Sequence, residues 1–428
     1  MKWRLFHIKL CCLLFVSCVG FVSCINDSGS FSDDDNVIDE HECLLTLNVS
    51  LLETRAGVGE TGTASKERMH SLRVVVLSEA TDKVEVNNYY YLKNDGESLY
   101  GPILISVKPD GLKSIYLIAN EESAGNLVNM TGSGTTLSDF LKSVAVESDA
   151  STFKTGITEA VFTVPETSDD TNSNIPMSAV YQIETSTADG GTRKDCGTFY
   201  IVRTMTKYSF SFRNDRVSGL PVYVKSWEIS NLVTDKAYLM PHFSPTAGGY
   251  YWNSTASEWV YFGADWTETG KEWKEWLAKV SDQSNIDPDN PSADENGWLT
   301  CYNIPAGAVT KKFQHIYKDG GLEIPIDGAE HDGGVIKYLP ESKNEKETNP
   351  AFEGEQEYFV NVLISENGKE YKFDPVPLPN LRSLFRNTHV RVYVRFGQTM
   401  KDDVIYAKII DWNIWGRVEG ELRPEGNE

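Results

Sequence analysis

The side chains best suited to chemistry in this chain are few and far apart. Its seven histidines stand at 7, 41, 70, 242, 315, 331 and 389 without a His-x-x-x-His pair, and its seven cysteines include no Cys-x-x-Cys. Zinc needs three or four such ligands at close spacing, so no metal site is expected. No Gly-x-Ser-x-Gly elbow or P-loop occurs, and no Gly-x-Gly-x-x-Gly stands in the context that dinucleotide binding requires. A glycan hydrolase would need a carboxylate pair in a cleft, and the 62 acidic residues single out none. Asp287-Pro-Asp-Asn-Pro-Ser-Ala-Asp-Glu-Asn-Gly297 is rich in oxygen ligands, but it departs from EF-hand spacing and its prolines suit a solvated loop. The expectation is a protein that is not an enzyme and takes no cofactor.

Two reactive features remain, a cysteine and an arginine. Met1 to Lys9 is basic and Leu10 to Val22 is an apolar run of 13 residues, shorter than the roughly 20 a membrane-spanning helix needs. This reads as a signal peptide over 1–23. It ends in Phe21-Val-Ser-Cys24, a small residue before a cysteine, the pattern that a lipoprotein signal peptidase cuts ahead of a lipidated thiol. The same tetrapeptide occurs at Phe15-Val-Ser-Cys18. Cys24 is preferred because the polar Ile-Asn-Asp-Ser-Gly follows it, whereas Val-Gly-Phe-Val continues the apolar run after Cys18. Removing the leader and acylating Cys24 leaves Cys43, Cys196 and Cys301, with Cys196 to Cys301 an optional bridge and no disulfide framework. The arginine is Arg55, in Glu53-Thr-Arg55-Ala56 and followed by Gly-Val-Gly-Glu-Thr-Gly-Thr-Ala-Ser, small residues of the kind that proteases find exposed.

The elements around Arg55 are strands. Ile25 to Glu42 is acidic and polar, a tether without enough apolar area to order itself. Leu45, Leu47, Val49 and Leu51 then alternate with polar residues, the period-2 signature of a strand with one buried face. Further strands are expected at Leu72 to Val76, Ile103 to Val107, Ser114 to Ala119, Ala160 to Val164, Thr206 to Phe212, Val222 to Ile229, Tyr358 to Ile364, Lys369 to Phe373, Val390 to Phe396 and Ile405 to Ile409. Asn94-Asp-Gly96, Pro109-Asp-Gly111 and Glu366-Asn-Gly368 mark turns, the last a type I′ hairpin. Leu137 to Val144 and Lys271 to Val280 carry helical spacing. The chain of 428 residues exceeds what one core supports, so two domains are expected, 56–197 and 198–428, after a propeptide at 24–55. The net charge of −22 makes nucleic acid and anionic lipid surfaces poor partners.

At the C-terminus the even positions Ile410, Trp412, Ile414, Val418 and Leu422 are apolar, with Gly416 and Gly420 between them; Asn413, Arg417, Glu419, Glu421 and Arg423 face the other way, and only Trp415 breaks the alternation. Such a segment, 410–422, spans roughly 40 Å if extended, against the usual strand of about 5 to 6 residues. At a chain end it can leave and complete another subunit.

With these features the chain resembles the fimbrillin family, the type V pilins of anaerobic Gram-negative bacteria. The resemblance rests on Ser71-Leu-Arg-Val-Val-Val76, Ile175-Pro-Met-Ser178, Val202-Arg-Thr-Met-Thr-Lys207, Ile229-Ser-Asn-Leu-Val233 with Tyr238-Leu-Met-Pro241, Tyr338-Leu-Pro-Glu341 and Arg386-Asn-Thr-His-Val390, in that order over nearly the whole chain. It implies a mainly β fold of two transthyretin-like β-sandwich domains with a few short helices. It also implies an outer-membrane lipoprotein precursor anchored at Cys24, cut between Arg55 and Ala56 by an Arg-specific surface protease. The strand lost would be Leu45 to Leu51, replaced by a neighbour's 410–422 segment, giving an extracellular fimbrium. Partners would be other fimbrial subunits and host or bacterial surface receptors, with stalk, tip and accessory positions all open. The aromatics Tyr250, Tyr251, Trp252, Trp259, Tyr261 and Trp266 offer an alternative, a surface glycan-binding lipoprotein that never polymerises.

Overall fold

The protein is described here by a computed structural model covering residues 39–51, 65–91, 101–128, 134–164, 174–233, 235–240, 252–253, 258–259, 305, 310–343, 359–373, 376–377, 383–384, 386–410 and 423–424. It is mainly β. The first set of strands is β1 (Cys43–Leu51), β2 (Ser71–Ser78), β3 (Lys83–Tyr91), β4 (Gly101–Val107), β5 (Leu112–Ala119), β6 (Val161–Thr163), β7 (Met177–Glu184) and β8 (Arg193–Arg203). The second runs β9 (Met205–Asn214), β10 (Val222–Val233), β11 (Lys236–Tyr238), β12 (Trp252–Asn253), β13 (Glu258–Trp259), β14 (Thr310–Ile316), β15 (Leu322–Ile324) and β16 (His331–Pro340). It continues with β17 (Ser342–Lys343), β18 (Phe359–Glu366), β19 (Lys369–Lys372), β20 (Val376–Pro377), β21 (Ser383–Leu384), β22 (His389–Phe396), β23 (Val404–Ile410) and β24 (Arg423–Pro424).

All of the first set but β6 join β24 in a sheet of the order β24-β3-β2-β5-β7-β8-β1-β4. β8 turns the sheet over on itself, since its early residues lie beside β1 while only Val202 and Arg203 pair with β7. The inner faces meet in a core, with Tyr181 of β7 against Phe199 of β8 at 4.4 Å between ring centroids. β2 is buried on both faces because two helices cover its outer side. These are α1 (Leu137–Ser143), capped by the Thr136 side chain, and α2 (Ala150–Thr158), capped by Asp149. Phe153 of α2 packs edge-on against Tyr116 of β5 at 5.0 Å. Under the helices Arg73 forms a two-pronged pair with Glu121, at 2.6 and 2.8 Å, and Asn87 donates to the carbonyls of Leu141 and Val144 at the end of α1.

The second set builds two further sheets, β16-β9-β22-β23 and β14-β10-β18-β19, with β15 on β10 and β20 on β18. Trp227 of β10 stacks on Phe210 of β9 at 4.2 Å and joins the two layers. The β18–β19 hairpin turns through Asn367 and Gly368 at φ 50° and 72°, the left-handed pair that a type I′ turn requires.

The expected boundary at 197/198 falls inside β8. The strand continues because Phe199 and Ile201 are core residues paired beside Val49 and Leu51, and the change from one set of sheets to the other comes at Thr204, between β8 and β9. Short ties cross that change. β11 pairs with β6, and Ser178 Oγ donates to the Leu239 carbonyl at 2.5 Å. The buried Glu67 carboxylate meets Lys207 Nζ at 3.3 Å and the Tyr338 hydroxyl, while its carbonyl accepts from Arg203 Nε at 3.0 Å.

Candidate functional site

The alternation read from Leu45 to Leu51 appears as β1, with Cys43, Leu45, Leu47, Val49 and Leu51 buried and Leu44, Thr46, Asn48 and Ser50 half-buried. β1 is an interior strand. On one side it runs antiparallel to β4, from Cys43 opposite Val107 to Val49 opposite Gly101. On the other it runs parallel to β8, from Leu44 beside Arg193 to Leu51 beside Ile201. The parallel register slips between Thr46 and Asn48, where β8 bulges at Gly197, whose φ of 73° suits glycine.

β4 pairs with β1 and with no other described strand. Taking β1 away therefore leaves a slot: two unpaired strand edges, and five apolar positions opened into the core. Exposed edges of this kind bind an incoming strand through their free backbone groups and through pockets for alternate side chains. β1 at present follows residues 39–42 and leaves at Leu51 toward the 13 residues of 52–64, which contain Arg55 and Ala56 and lie outside the described residues.

The likeness of this chain to solved structures is to adhesion and fimbrial proteins. It is similar to a candidate cell adhesion protein from Parabacteroides distasonis, at 12% identity over 88% of this chain and 99% of that one, with a TM-score of 0.48. It is similar to the tip fimbrial protein Mfa3 from Porphyromonas gingivalis, at 12% identity over 87% of this chain and 100% of that one, TM-score 0.46. It is also similar to the fimbrial anchor protein Mfa2 from the same organism, at 10% identity over 86% and 98%, TM-score 0.33. No family model and no curated protein matches the chain.

The remaining expected residues fall in several places. Cys24, Cys301, Trp412, Ile414, Val418 and Leu422, the helix at Lys271 to Val280, the acidic loop 287–297 and the leader lie outside the described residues. Ile410 is the last residue of β23, opposite His389, so the 410–422 segment begins as the continuation of a sheet strand. Cys196 is a free, buried thiol in β8, next to the Gly197 bulge. Burial pushes it up to about 12, so a thiolate forms only when the site opens. Iodoacetamide at pH 8 is expected to leave Cys196 unmodified in the native chain and to label it once β1 is displaced, read by peptide mass spectrometry.

Among the described residues no helix is long and apolar enough to cross a membrane, and no group of three His, Cys, Asp or Glu side chains converges on a metal position. Ser209 Oγ and His389 Nε2 lie 2.7 Å apart, but both residues are sealed inside the sheet layer, with Arg391 Nε on the same hydroxyl at 3.3 Å. That is a structural hydrogen bond without access for a substrate.

The sequence did not reveal β8 as the partner of β1. Its opening Arg193-Lys-Asp is polar, and the bulge places Cys196 and Phe199 three apart on one face, which destroys the alternation that would have marked it. The surviving signal is the short Phe199-Tyr-Ile201 alternation.

Proposed function

We propose that this chain is a structural subunit of cell-surface fimbriae that polymerises by strand replacement and supports adhesion. The observation that carries the reading is the lodging of β1 between β4 and β8 at one end of the chain, joined to the body through a segment holding an arginine. In this reading residues 1–23 direct export, Cys24 carries the lipid that holds the precursor to the outer membrane, and an Arg-specific surface protease cuts between Arg55 and Ala56. The propeptide 24–55 then departs with β1. A neighbour's 410–422 segment, with Ile410, Trp412, Ile414, Val418 and Leu422 on one face, fills the slot. Such a contact joins unlike surfaces head to tail and does not close, so it propagates a filament. The body comprises the two strand sets as two sandwich domains.

The test is electrophoresis of the surface form. Protein cut after Arg55 is expected to give SDS-resistant ladders and an N-terminus at Ala56, and both Arg55→Ala and truncation before Ile410 are expected to abolish the ladders. Ladders that survive both changes, or an intact Arg55 on cells together with saturable polysaccharide binding, would replace this reading with that of a non-polymerising glycan binder.

A further inference from the structure

Strand β4 poses a difficulty for any loss of β1. It has no other sheet neighbour among the described strands, so when β1 leaves it has no backbone ladder. Unless something else holds it, the outer wall of the slot collapses or swings away.

The corner at 108–111, which leads from β4 into β5, is gripped from three strands at once. Lys113, the second residue of β5, is fully buried, and its Nζ lies 2.8 Å from Glu85 Oε1 of β3 and in contact with Asp110 Oδ1 of the corner itself. Asp110 also accepts from Ser78 Oγ of β2 at 3.3 Å. From the end of β7, Thr185 gives both its N–H and its hydroxyl to the Gly111 carbonyl, at 3.0 and 2.7 Å. The exposed Lys108–Glu147 pair at 2.8 Å adds little. The lysine is the centre of this arrangement. Without it the Glu85 and Asp110 carboxylates would face one another with Glu85 almost wholly buried, an arrangement that drives them apart. Burial pushes the Glu85 carboxyl up, the Lys113 ammonium holds it down, and burial wins.

We propose that Lys113 is a positioning residue that fixes the 108–111 corner, so that β4 stays in place as the outer wall of the slot while β1 is absent. Its purpose rests on the strand-replacement reading. Its action does not, because β1 can also open transiently by local unfolding in the uncut chain.

The experiment uses the full, uncut chain carrying Pro109→Cys, which places a buried reporter thiol in the corner itself, beyond Cys43–Val107, the last pair of the β1 ladder. The native Cys196 beside β1 reports the opening of β1. Both are alkylated with N-ethylmaleimide under native conditions and followed by peptide mass spectrometry. With Lys113 present, Cys196 is expected to react about tenfold faster or more than the introduced thiol, because β1 opens without β4. With Lys113→Met, the introduced thiol is expected to react nearly as fast as Cys196, while the rate at Cys196 changes little. A merely structural loss of stability would raise both rates together. Should Lys113→Met fail to fold, Asp110→Asn keeps the Lys113–Glu85 pair and is expected to show the same change in smaller degree. Equal rates with Lys113 intact, or an introduced thiol that stays slow in the variants, would overturn the proposal. Failure of the fimbrial reading would appear separately, in the ladders and the N-terminus of the surface form.

Discussion

Replacing Leu47 by aspartate is expected to dislodge β1 and to open the first strand set. Leu47 is fully buried at the middle of β1, opposite Ile103 of β4 and level with the β8 bulge. Losing a leucine of this kind costs roughly 2 to 5 kcal/mol through transfer and cavity terms, and a carboxyl in its place adds the cost of burying an unpaired polar group, about 1 to 3 kcal/mol on protein scales. The strand can escape that cost by leaving its place between β4 and β8. The expected result is a lower first transition in thermal unfolding followed by circular dichroism, together with rapid alkylation of Cys196. Asn48→Asp, one residue along on the half-buried face, is the control and should shift the midpoint little. Equal melting of the two variants would mean that β1 is not an integral part of the sheet.

The second large effect lies where the two strand sets join. Arg386 is buried and each nitrogen of its guanidinium donates to a fixed partner: Glu341 at 2.9 and 2.8 Å, the Leu239 carbonyl at 2.8 Å and the Tyr238 carbonyl at 2.9 Å. The Leu239 carbonyl is also the acceptor for Ser178 of β7, and β11 just before it pairs with β6. Arg386→Leu is therefore expected to cost roughly 3 to 5 kcal/mol in urea unfolding, since it strands the Glu341 carboxylate in the interior. The double variant Arg386→Leu with Glu341→Leu should recover part of this, because removing both buried ions is far cheaper than removing one. Recovery stays incomplete because the Tyr238 and Leu239 carbonyls each lose the Arg386 hydrogen bond, although Leu239 keeps that from Ser178. A double variant no more stable than Arg386→Leu alone would show that the loss comes from the carbonyls and not from the ion pair.

Much of the fold is written in local pattern, and its gaps have physical causes. The alternation of β1, the Glu366-Asn-Gly368 hairpin and helix α1 each follow from residues within a few positions of one another. Helix α2 does not. Its Ala-Ser-Thr-Phe-Lys-Thr-Gly-Ile-Thr is poor in helix formers, and it is held by Phe153 and Ile157 in the core, a tertiary cause that no local window contains. β3 was equally hidden, because Asn87 in the middle of it serves the end of α1. At the candidate site the buried face of β1 could be read directly. The two strands that flank it could be paired with it only in three dimensions, one of them across a bulge. Gly197, the last residue of the first expected domain, is that bulge.

The flanking of β1 on both sides also decides how the joint answers to force. A strand at a sheet edge, pulled away sideways from one end, gives up its backbone bonds one after another, like a zip. β1 lies between β4 and β8, and the bonds of both ladders run across its length. Tension along the strand therefore loads the two ladders together in shear, and the segment that fills this place yields only when many bonds fail at once.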